Sequence, residues 1–373
     1  MPEINYITNL STDNYSGGWS GMNHNVYKQL SKKRDINLIE NVNPAYPFVS
    51  KFVSKCMRMA GKKSVYPAFT SRRLDVIKKL VESRLNTNAS LNFFHGATPW
   101  LHVESSLPYA MYLDCCFATY INVYHNPAQF SKKQQNDLFE KESSFLEKAK
   151  AVFFSSQWAM KDTKIKYSLT GNNFYLAGLG GGFSSVCKKL QTVNPYFLFV
   201  GLDFLGKGGD KVVKAFTSIS KKFPEFKLKI AGQKPPVEFL RHQQIEYAGL
   251  INKSNAGDLK KLTDLFCNAY CFVLPTSKDI TPLVLVEAAS VGCPAIATNN
   301  FGIPEIVKDG ETGFLVSNDD LLEEQLREKM ILLCSDIQLR NKTGIAAKKH
   351  IDTNFNWDNT GNIICEKISF SEN

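Results

Sequence analysis

Short apolar runs alternate along most of the chain with longer stretches in which apolar residues return every three or four positions. The runs at residues 4–9, 91–95, 118–124, 151–155 and 174–177 read as strands in the first half, with helical spacing from about Met22, over 73–85 and over 133–148. The pattern restarts after residue 195. Strands are expected over 196–201, 227–231, 245–249 and 270–275, helices over 210–222 and 259–268, and a helix-like tail from about Trp357. Strands separated by helices are the mark of parallel sheets covered on both faces, so the fold class is α/β. No period of roughly 20 to 50 residues repeats, which excludes a solenoid. A chain of 373 residues is too long for one ordinary domain. The glycine-rich residues 178–182, of which 180–182 read as a flexible link, and the polar stretch 188–195 ending in Pro195 mark the junction. The expected organisation is a domain over 1–190, a second over 191–350 and a tail, 351–373, crossing back to the first, with two doubly wound domains facing a cleft.

Composition changes this picture little. Hydrophobic residues make up 43% and charged residues 21% of the chain, values of a folded globular protein. The longest apolar runs, 270–275 and 282–291, fall short of the roughly 18 to 20 residues needed to span a bilayer. The N-terminus has no basic segment leading into an apolar core, so a cytoplasmic location is expected. Nine cysteines with no C-x-x-C pair read as reduced thiols without zinc. Charge adds more. The net +10 and the pI near 9.0 call for an anionic partner, and residues 51–84 carry ten basic side chains, Lys51 first and Arg84 last, against Asp75 and Glu82. Over 73–85, Leu74, Ile77, Leu80, Val81 and Leu85 recur at helical spacing, giving an amphipathic helix with a cationic face. Such a face is either simply solvated or docks peripherally on an anionic membrane. Nucleic acid is set aside, because no aromatic-plus-basic recognition motif accompanies the charge.

Chemistry concentrates after the strand at 270–275. In Ser277-Lys278-Asp279-Ile280-Thr281-Pro282-Leu283-Val284-Leu285-Val286-Glu287, Thr281 suits a helix N-cap and Pro282 the first helical position, where a missing N–H costs nothing. The amides of Leu283 and Val284 are then free to face a phosphate at the carboxyl end of a strand. Asp279 precedes the cap. Glu287 lies less than two turns inside an apolar helix, where a lone carboxylate needs either a ligand hydroxyl or a neighbouring Arg or backbone amide.

Residues 196–210 place a second candidate at a strand end. Gly201 to Lys207 fits G-x-x-x-x-G-K, but Gly208 stands where a P-loop needs Ser or Thr for magnesium. Lys207 is either an exposed turn lysine or a diphosphate grip. In the first half, Gly17 and Gly18 lie between a strand and a helix, where glycines allow close backbone approach to a phosphate or sugar or simply make a tight turn. His125 ends the run 118–124 and would stand at the edge of the cleft, with His95 a lesser candidate. There is no D-x-D, H-E-x-x-H, G-x-S-x-G or G-x-G-x-x-G, which argues against metal-dependent transferases, zincins, serine hydrolases and dinucleotide dehydrogenases.

Asp279 and Glu287 at this spacing resemble the acidic E-x7-E motif of retaining GT4-type glycosyltransferases of the GT-B fold. Gly292-Cys293-Pro294-Ala295-Ile296-Ala297-Thr298, Gly302-Ile303-Pro304-Glu305-Ile306-Val307 and Asp309-Gly310-Glu311-Thr312-Gly313-Phe314-Leu315-Val316 are similar to that family's C-terminal half in order and spacing. The resemblance implies two Rossmann-like domains, acceptor-binding first and nucleotide-sugar-binding second. It further implies transfer of a sugar from a nucleoside diphosphate sugar to an acceptor hydroxyl with retention, in polysaccharide, glycan or glycolipid synthesis. It assigns Glu287 to the ribose, Asp279 to the donor sugar and Lys207 to the diphosphate. Thr281, Leu283, Val284, Gly201, Gly17 and Gly18 fall in the donor-binding group, and His125 contacts donor sugar or acceptor. Two departures stand out. Asp replaces Glu at 279, and Leu202 or Gly206 stands where an arginine is usual. The implied partners are a nucleotide sugar and a carbohydrate or lipid-linked acceptor, with no metal and no cofactor. The alternatives are a non-catalytic nucleotide-sugar-binding protein and a nucleotide-sugar epimerase of the same fold.

Overall fold

The computed structural model describes residues 3–13, 18–46, 48–183 and 194–369. The chain divides into two compact units, one comprising Met1–Asn14, Trp19–Gly178 and Trp357–Asn373, the other Tyr15–Gly18 and Leu179–Asn356.

The first unit runs β1 (Ile4–Ile7), α1 (Gly18–Ser31), β2 (Ile36–Ile39), α2 (Phe48–Met59), α3 (Ser71–Glu82), β3 (Leu91–His95), β4 (Tyr109–Leu113), α4 (Phe117–Tyr124), α5 (Lys132–Glu147), β5 (Ala151–Phe154), α6 (Gln157–Tyr167) and β6 (Phe174–Leu176). Its six strands are parallel in the order β2-β1-β3-β4-β5-β6. Helices cover both faces, so β1, β3 and β5 are buried at every position; the run is continuously apolar only in β5, while the buried Asn5 of β1 donates through Nδ2 to Asn92 Oδ1 of β3 at 2.9 Å.

Two sequence expectations fail here. Residues 118–124 are not a strand but most of α4. Phe117-Ala118-Thr119-Tyr120-Ile121 is rich in strand formers, yet Phe117, Ala118 and Ile121 are buried at helical spacing, and tertiary packing overrides the local preference. The strand belongs instead to β4, which the sequence reading missed together with the short β2. The cationic face expected on α3 also loses a member. Arg73 is 5% exposed, donates to Pro44 O, Ala68 O and Asn43 Oδ1, and stacks on Tyr46.

The second unit runs β7 (Tyr196–Gly201), α7 (Gly209–Ile219), β8 (Lys227–Gly232), β9 (Ile245–Gly249), α8 (Ala256–Asn268), β10 (Cys271–Leu274), α9 (Leu283–Ser290), β11 (Ala295–Thr298), α10 (Ile303–Ile306), β12 (Gly313–Val316), α11 (Leu322–Ser335) and α12 (Ile337–Asn354). Its parallel order, β12-β11-β10-β7-β8-β9, reverses direction between β7 and β10, the switch point where ligands bind in such sheets. After α12 the chain continues as α13 (Trp357–Ile368), packed in the first unit. There Lys32 pairs with Asp358 at 2.8 Å, and Lys150 Nζ donates to Ile368 O at 3.0 Å.

Residues 180–182 are not a free link. A Cβ on Gly181 would lie 2.9 Å from Val286, and one on Gly182 2.6 Å from the Ser290 Cβ. The segment is laid against α9, and Phe183 N donates to Ser290 Oγ. The cysteines also differ from expectation, since Cys267 is disulfide-bonded while Cys115, Cys116, Cys271 and Cys293 are among those that are free. No described helix is long and apolar enough to cross a membrane.

Candidate functional site

The strand order of the second unit directs attention to the carboxyl ends of β7 and β10. After β7 the chain makes a tight turn. Asp203 Oδ1 accepts from Gly206 N, Asp203 O accepts from Lys207 N, and Gly208 takes a φ of 76° as it caps α7. A Cβ at Gly208 would meet the Pro275 carbonyl oxygen at 2.5 Å, so only glycine lets this turn rest against the end of β10. Gly201 has a related role: a Cβ there would lie 3.0 Å from Lys207 Cδ, and its absence leaves room for the lysine stem.

Lys207 is thereby carried from the β7 end to the segment after β10. Its Nζ lies 3.1 Å from Asp279 Oδ1 and 3.0 Å from Oδ2. That segment is fixed by Thr276, whose Oγ1 accepts from Lys278 N and Asp279 N, while its carbonyl accepts from the Thr298 hydroxyl. The lysine and the aspartate are both about a quarter exposed, at 24% and 22%, so the pair is open to exchange with an anionic ligand.

The helix start differs by one residue from the sequence reading. Pro282, not Thr281, occupies the N-cap, without a side-chain cap bond, and Leu283 opens the helix; Thr281 is buried just outside it. The amides of Leu283 and Val284 still fall in the first turn, whose N–H groups have no intrahelical acceptor. Glu287 lies one turn on. Its carboxylate is held by Lys253 Nζ at 2.5 and 2.7 Å, with both side chains mostly buried. Lys253 was not anticipated. It stands on the loop between β9 and α8, 34 residues from its partner, and nothing in local spacing announces the pair. The arrangement thus offers two lysines, each balanced by a carboxylate, around the dipole end of α9. It can bind an anionic ligand carrying hydroxyls.

In the first unit the expected candidates do not come together as foreseen. Gly17 lies outside the described residues, and Gly18 is the first residue of α1. His125 follows α4 rather than a strand. Its Nε2 lies 2.8 Å from Tyr66 OH and 3.3 Å from Tyr120 OH, and its ring packs edge-on against Phe130, so it belongs to an aromatic cluster. His95 does end β3. It is 1% exposed, and its imidazole stacks on Trp19 at 4.0 Å. Burial lowers its pKa to about 3, opposed in part by the Trp19 backbone, so the ring is neutral at physiological pH. Gly96 follows with a φ of 85° and turns the chain away from the strand. Asp114, directly after β4, was also missed. Burial raises its carboxyl to about 6, against hydrogen bonds from the Cys115 thiol and the backbone amides of Asp114 and Cys115.

Residues 188–350 match the family model described as Glycosyl transferases group 1. Among curated proteins, a sulfoquinovosyl transferase of Arabidopsis thaliana is 28% identical over 153 residues, 40% of this chain and 29% of that protein. A capsular polysaccharide biosynthesis glycosyltransferase of Staphylococcus aureus is 28% identical over 170 residues, 45% of this chain and 44% of the relative. The chain therefore spans less than half the length of these relatives. Among solved structures, an Anabaena protein, HepE, in complex with UDP and glucose superposes with a TM-score of 0.68 at 14% identity, covering 99% of each chain. The site at β7, β10 and α9 lies wholly within the matched residues. The second unit is thus a glycosyl transferases group 1 domain, in a chain with the GT-B fold.

Proposed function

We propose that the chain is a retaining, metal-independent glycosyltransferase of GT4 type, moving a sugar from a nucleoside diphosphate sugar to an acceptor hydroxyl in polysaccharide or glycolipid synthesis. The observation that carries this reading is the convergence of Lys207, Asp279 and the α9 N-terminus at the switch point, with Glu287 held by Lys253 on the same helix. Lys207 and the Leu283 and Val284 amides meet the charge that grows on the leaving diphosphate, which is preorganised electrostatic stabilisation. Glu287 accepts hydrogen bonds from the ribose hydroxyls. Lys253 supplies, one turn along α9, a cation of the kind that Leu202 and Gly206 do not. Asp279 exchanges its partner Lys207 for the donor: the lysine turns to phosphate and the carboxylate accepts from a sugar hydroxyl. The named relatives support the substrate class, one being a sulfoquinovosyl transferase, one acting in capsular polysaccharide biosynthesis, and the superposed Anabaena protein holding UDP and glucose.

The test is a thermal-shift screen against UDP-, GDP- and ADP-sugars in the presence of EDTA, followed by NMR of the product formed with an acceptor. One donor class is expected to raise the midpoint, Glu287→Ala to abolish that rise, and the product to keep the donor's anomeric configuration. Donor conversion without acceptor would mean an epimerase, and an inverted product would remove the retaining assignment.

Within residues 51–84 we favour α2 over α3 as the part that would meet an anionic membrane. On α3, Lys78 is engaged by Glu104 and Glu82. On α2, Phe52 and Met59 are 61% and 80% exposed, and the nearby Lys55, Lys62 and Lys63 are exposed as well. Apolar side chains interleaved with lysines are the pattern of a helix that lies in a headgroup layer. Flotation with anionic vesicles is expected to carry the protein, and Phe52→Ser/Met59→Ser to reduce the floated fraction several-fold. Equal flotation with neutral vesicles, or none with anionic ones, would remove the contact.

A further inference from the structure

The second unit holds a cavity of about 650 Å³ between α8 and the strands β7 and β8. Among the described residues its lining includes Asn194, Tyr196, Lys229, Lys260, Lys261 and Asp264. None of the residues gathered around Lys207 and Glu287 lines it, so the two places are distinct.

The fold sets the lysines in position. Lys229 is the register partner of Glu246 across β8 and β9, yet its Nζ lies 3.8 Å from that carboxylate, which Lys227 engages more closely at 2.5 Å. The Lys229 ammonium rests over the Tyr196 ring instead, 4.2 Å from the centroid, and the side chain is 28% exposed. Tyr196 is itself tied to α8, because its hydroxyl donates to Leu265 O at 2.7 Å. Lys260 and Lys261 stand one turn before Asp264 on α8 and share its face. Lys260 pairs with Asp264 at 3.2 Å. Lys261 lies against the end of β9, where a Cβ on Gly249, at a φ of 99°, would meet its Nζ at 3.3 Å. Among the described residues no carboxylate pairs with Lys261.

Charge decides the sign of the ligand. Three ammonium groups face one carboxylate in the lining, and the Lys227–Glu246 contact beside them is neutral as a pair, so the groove is left positive and favours an anion. Ammonium groups are point charges that suit phosphate oxygens, and there is no guanidinium among the lining residues for the planar fork of a carboxylate. Size and surface narrow the class further. The volume falls within the roughly 300–1,000 Å³ of small-molecule sites, more than a bare phosphate fills. Tyr196 is 6% exposed and Lys229 covers a face of its ring, so a nucleobase finds nothing to stack on. Asp264 and Asn194 offer acceptors and a donor for hydroxyls.

We infer that this cavity is a second anion site, separate from the donor site, and that its ligand is a phosphorylated sugar or polyol carrying at least two negative charges. In this assignment the phosphate oxygens accept from Lys229 and Lys261, while Asp264 holds Lys260 at the rim and accepts from a hydroxyl. The assignment stands apart from the transferase reading, since it uses no residue of the transfer site.

The experiment is isothermal titration calorimetry on the full chain with fructose 1,6-bisphosphate, inorganic phosphate, ADP and uncharged fructose. The bisphosphate is expected to bind below about 1 mM, at least about tenfold tighter than inorganic phosphate, with no binding of fructose to about 10 mM. Lys229→Gln/Lys261→Gln is expected to weaken the bisphosphate at least about tenfold, and Asp264→Asn, which removes the acid of the lining, to tighten it several-fold. A merely structural role for these side chains would produce no gain. Lys207→Ala is expected to leave bisphosphate affinity as it is, and the double lysine variant to leave ADP affinity as it is. If the double variant does not fold, Lys261→Gln and Asp264→Asn decide. Bisphosphate binding unaltered in the lysine variants, lost in Lys207→Ala, matched by inorganic phosphate or by ADP in the same groove, or absent to about 10 mM would each overturn the assignment. Failure of the donor screen leaves this site standing, and failure of the titration leaves the transferase reading standing.

Discussion

Lys207→Ala is expected to lower turnover about 10²- to 10³-fold, the loss seen when one preorganised donor to a developing negative charge is removed, or about 2.7–4 kcal/mol. The size follows from the number of alternatives. At the end of β7 the turn is built from Leu202, Asp203, Phe204, Leu205, Gly206 and Gly208, so Lys207 is the cation of that turn. The remaining stabilisation of a leaving diphosphate comes from the first-turn amides of α9, which are partial charges, and from Lys253, whose charge is already paired with Glu287 at 2.5 Å. Because the charge on the diphosphate grows as the bond to the sugar breaks, the loss falls on kcat more than on donor affinity. A structural explanation competes: without Lys207, Asp279 loses its partner and could displace the loop. The Asp279 side chain is 22% exposed but its Oδ2 is buried without a hydrogen-bond partner, so an unpaired Asp279 carries a desolvation cost that has to be separated from the loss of the cation. The double variant Lys207→Ala/Asp279→Asn, which removes the uncompensated charge, makes that separation and is expected to remain as slow as Lys207→Ala. Recovery in the double variant, or a kcat within tenfold of the parent for Lys207→Ala under single-turnover conditions, would take Lys207 out of the reaction.

How far such a site can be read from sequence depends on how local its parts are. Lys207 and the Asp279–Glu287 segment each follow a buried strand directly, and the strand, turn and helix are contiguous in sequence. Periodicity and capping chemistry therefore place them within a residue; the slip from Thr281 to Pro282 at the N-cap is of that size. Lys253 was invisible for the opposite reason. It reaches Glu287 from a loop on another strand, and only the sheet order β10-β7-β8-β9 determines that the two ends meet. The first unit was misread where composition and packing disagree. Phe117 to Tyr124 has strand composition, but α4 buries Phe117, Ala118 and Ile121 at helical spacing. Taking the strand there rather than at β4 moved the expected strand end from Asp114 to His125. A signal did exist, since Tyr109-Ala110-Met111-Tyr112-Leu113 follows Pro108 and stops at an acid. Its helical neighbour outweighed it.

The helix that displaced the expected strand depends on a single buried carboxylate, and Glu142→Ala is expected to cost about 3–5 kcal/mol of stability. Glu142, on α5, is 1% exposed. Its Oε2 accepts from Phe117 N and from Tyr167 OH, each at 2.6 Å, and its Oε1 accepts from the Thr98 hydroxyl at 2.6 Å. Cys116 caps α4 without a side-chain bond, so Glu142 supplies from a distance the acceptor that the N-terminus of α4 lacks, and its charge faces the positive end of that helix. Alanine leaves three donors without an acceptor, at about 1–3 kcal/mol each where they cannot turn to another. The two hydroxyls can rotate and the Phe117 amide cannot, which holds the total near the lower half of that sum. Glu142→Gln keeps one oxygen for the Phe117 amide and is expected to cost only about 1 kcal/mol. The pH dependence gives a second, independent reading. Burial raises the Glu142 carboxyl, with the bonds from Thr98, Tyr167 and Phe117 opposing, so the folded state holds its proton at pH values where the unfolded chain has released it. The resulting contribution is complete below the unfolded pKa and is lost as pH rises through the folded one. Urea titrations from pH 4 upward should therefore show parent stability declining relative to Glu142→Gln until the folded carboxyl ionises, and a constant difference above that. An alanine variant as stable as the parent, or a Gln variant with the parent's slope, would mean that α4 is held by its apolar face alone.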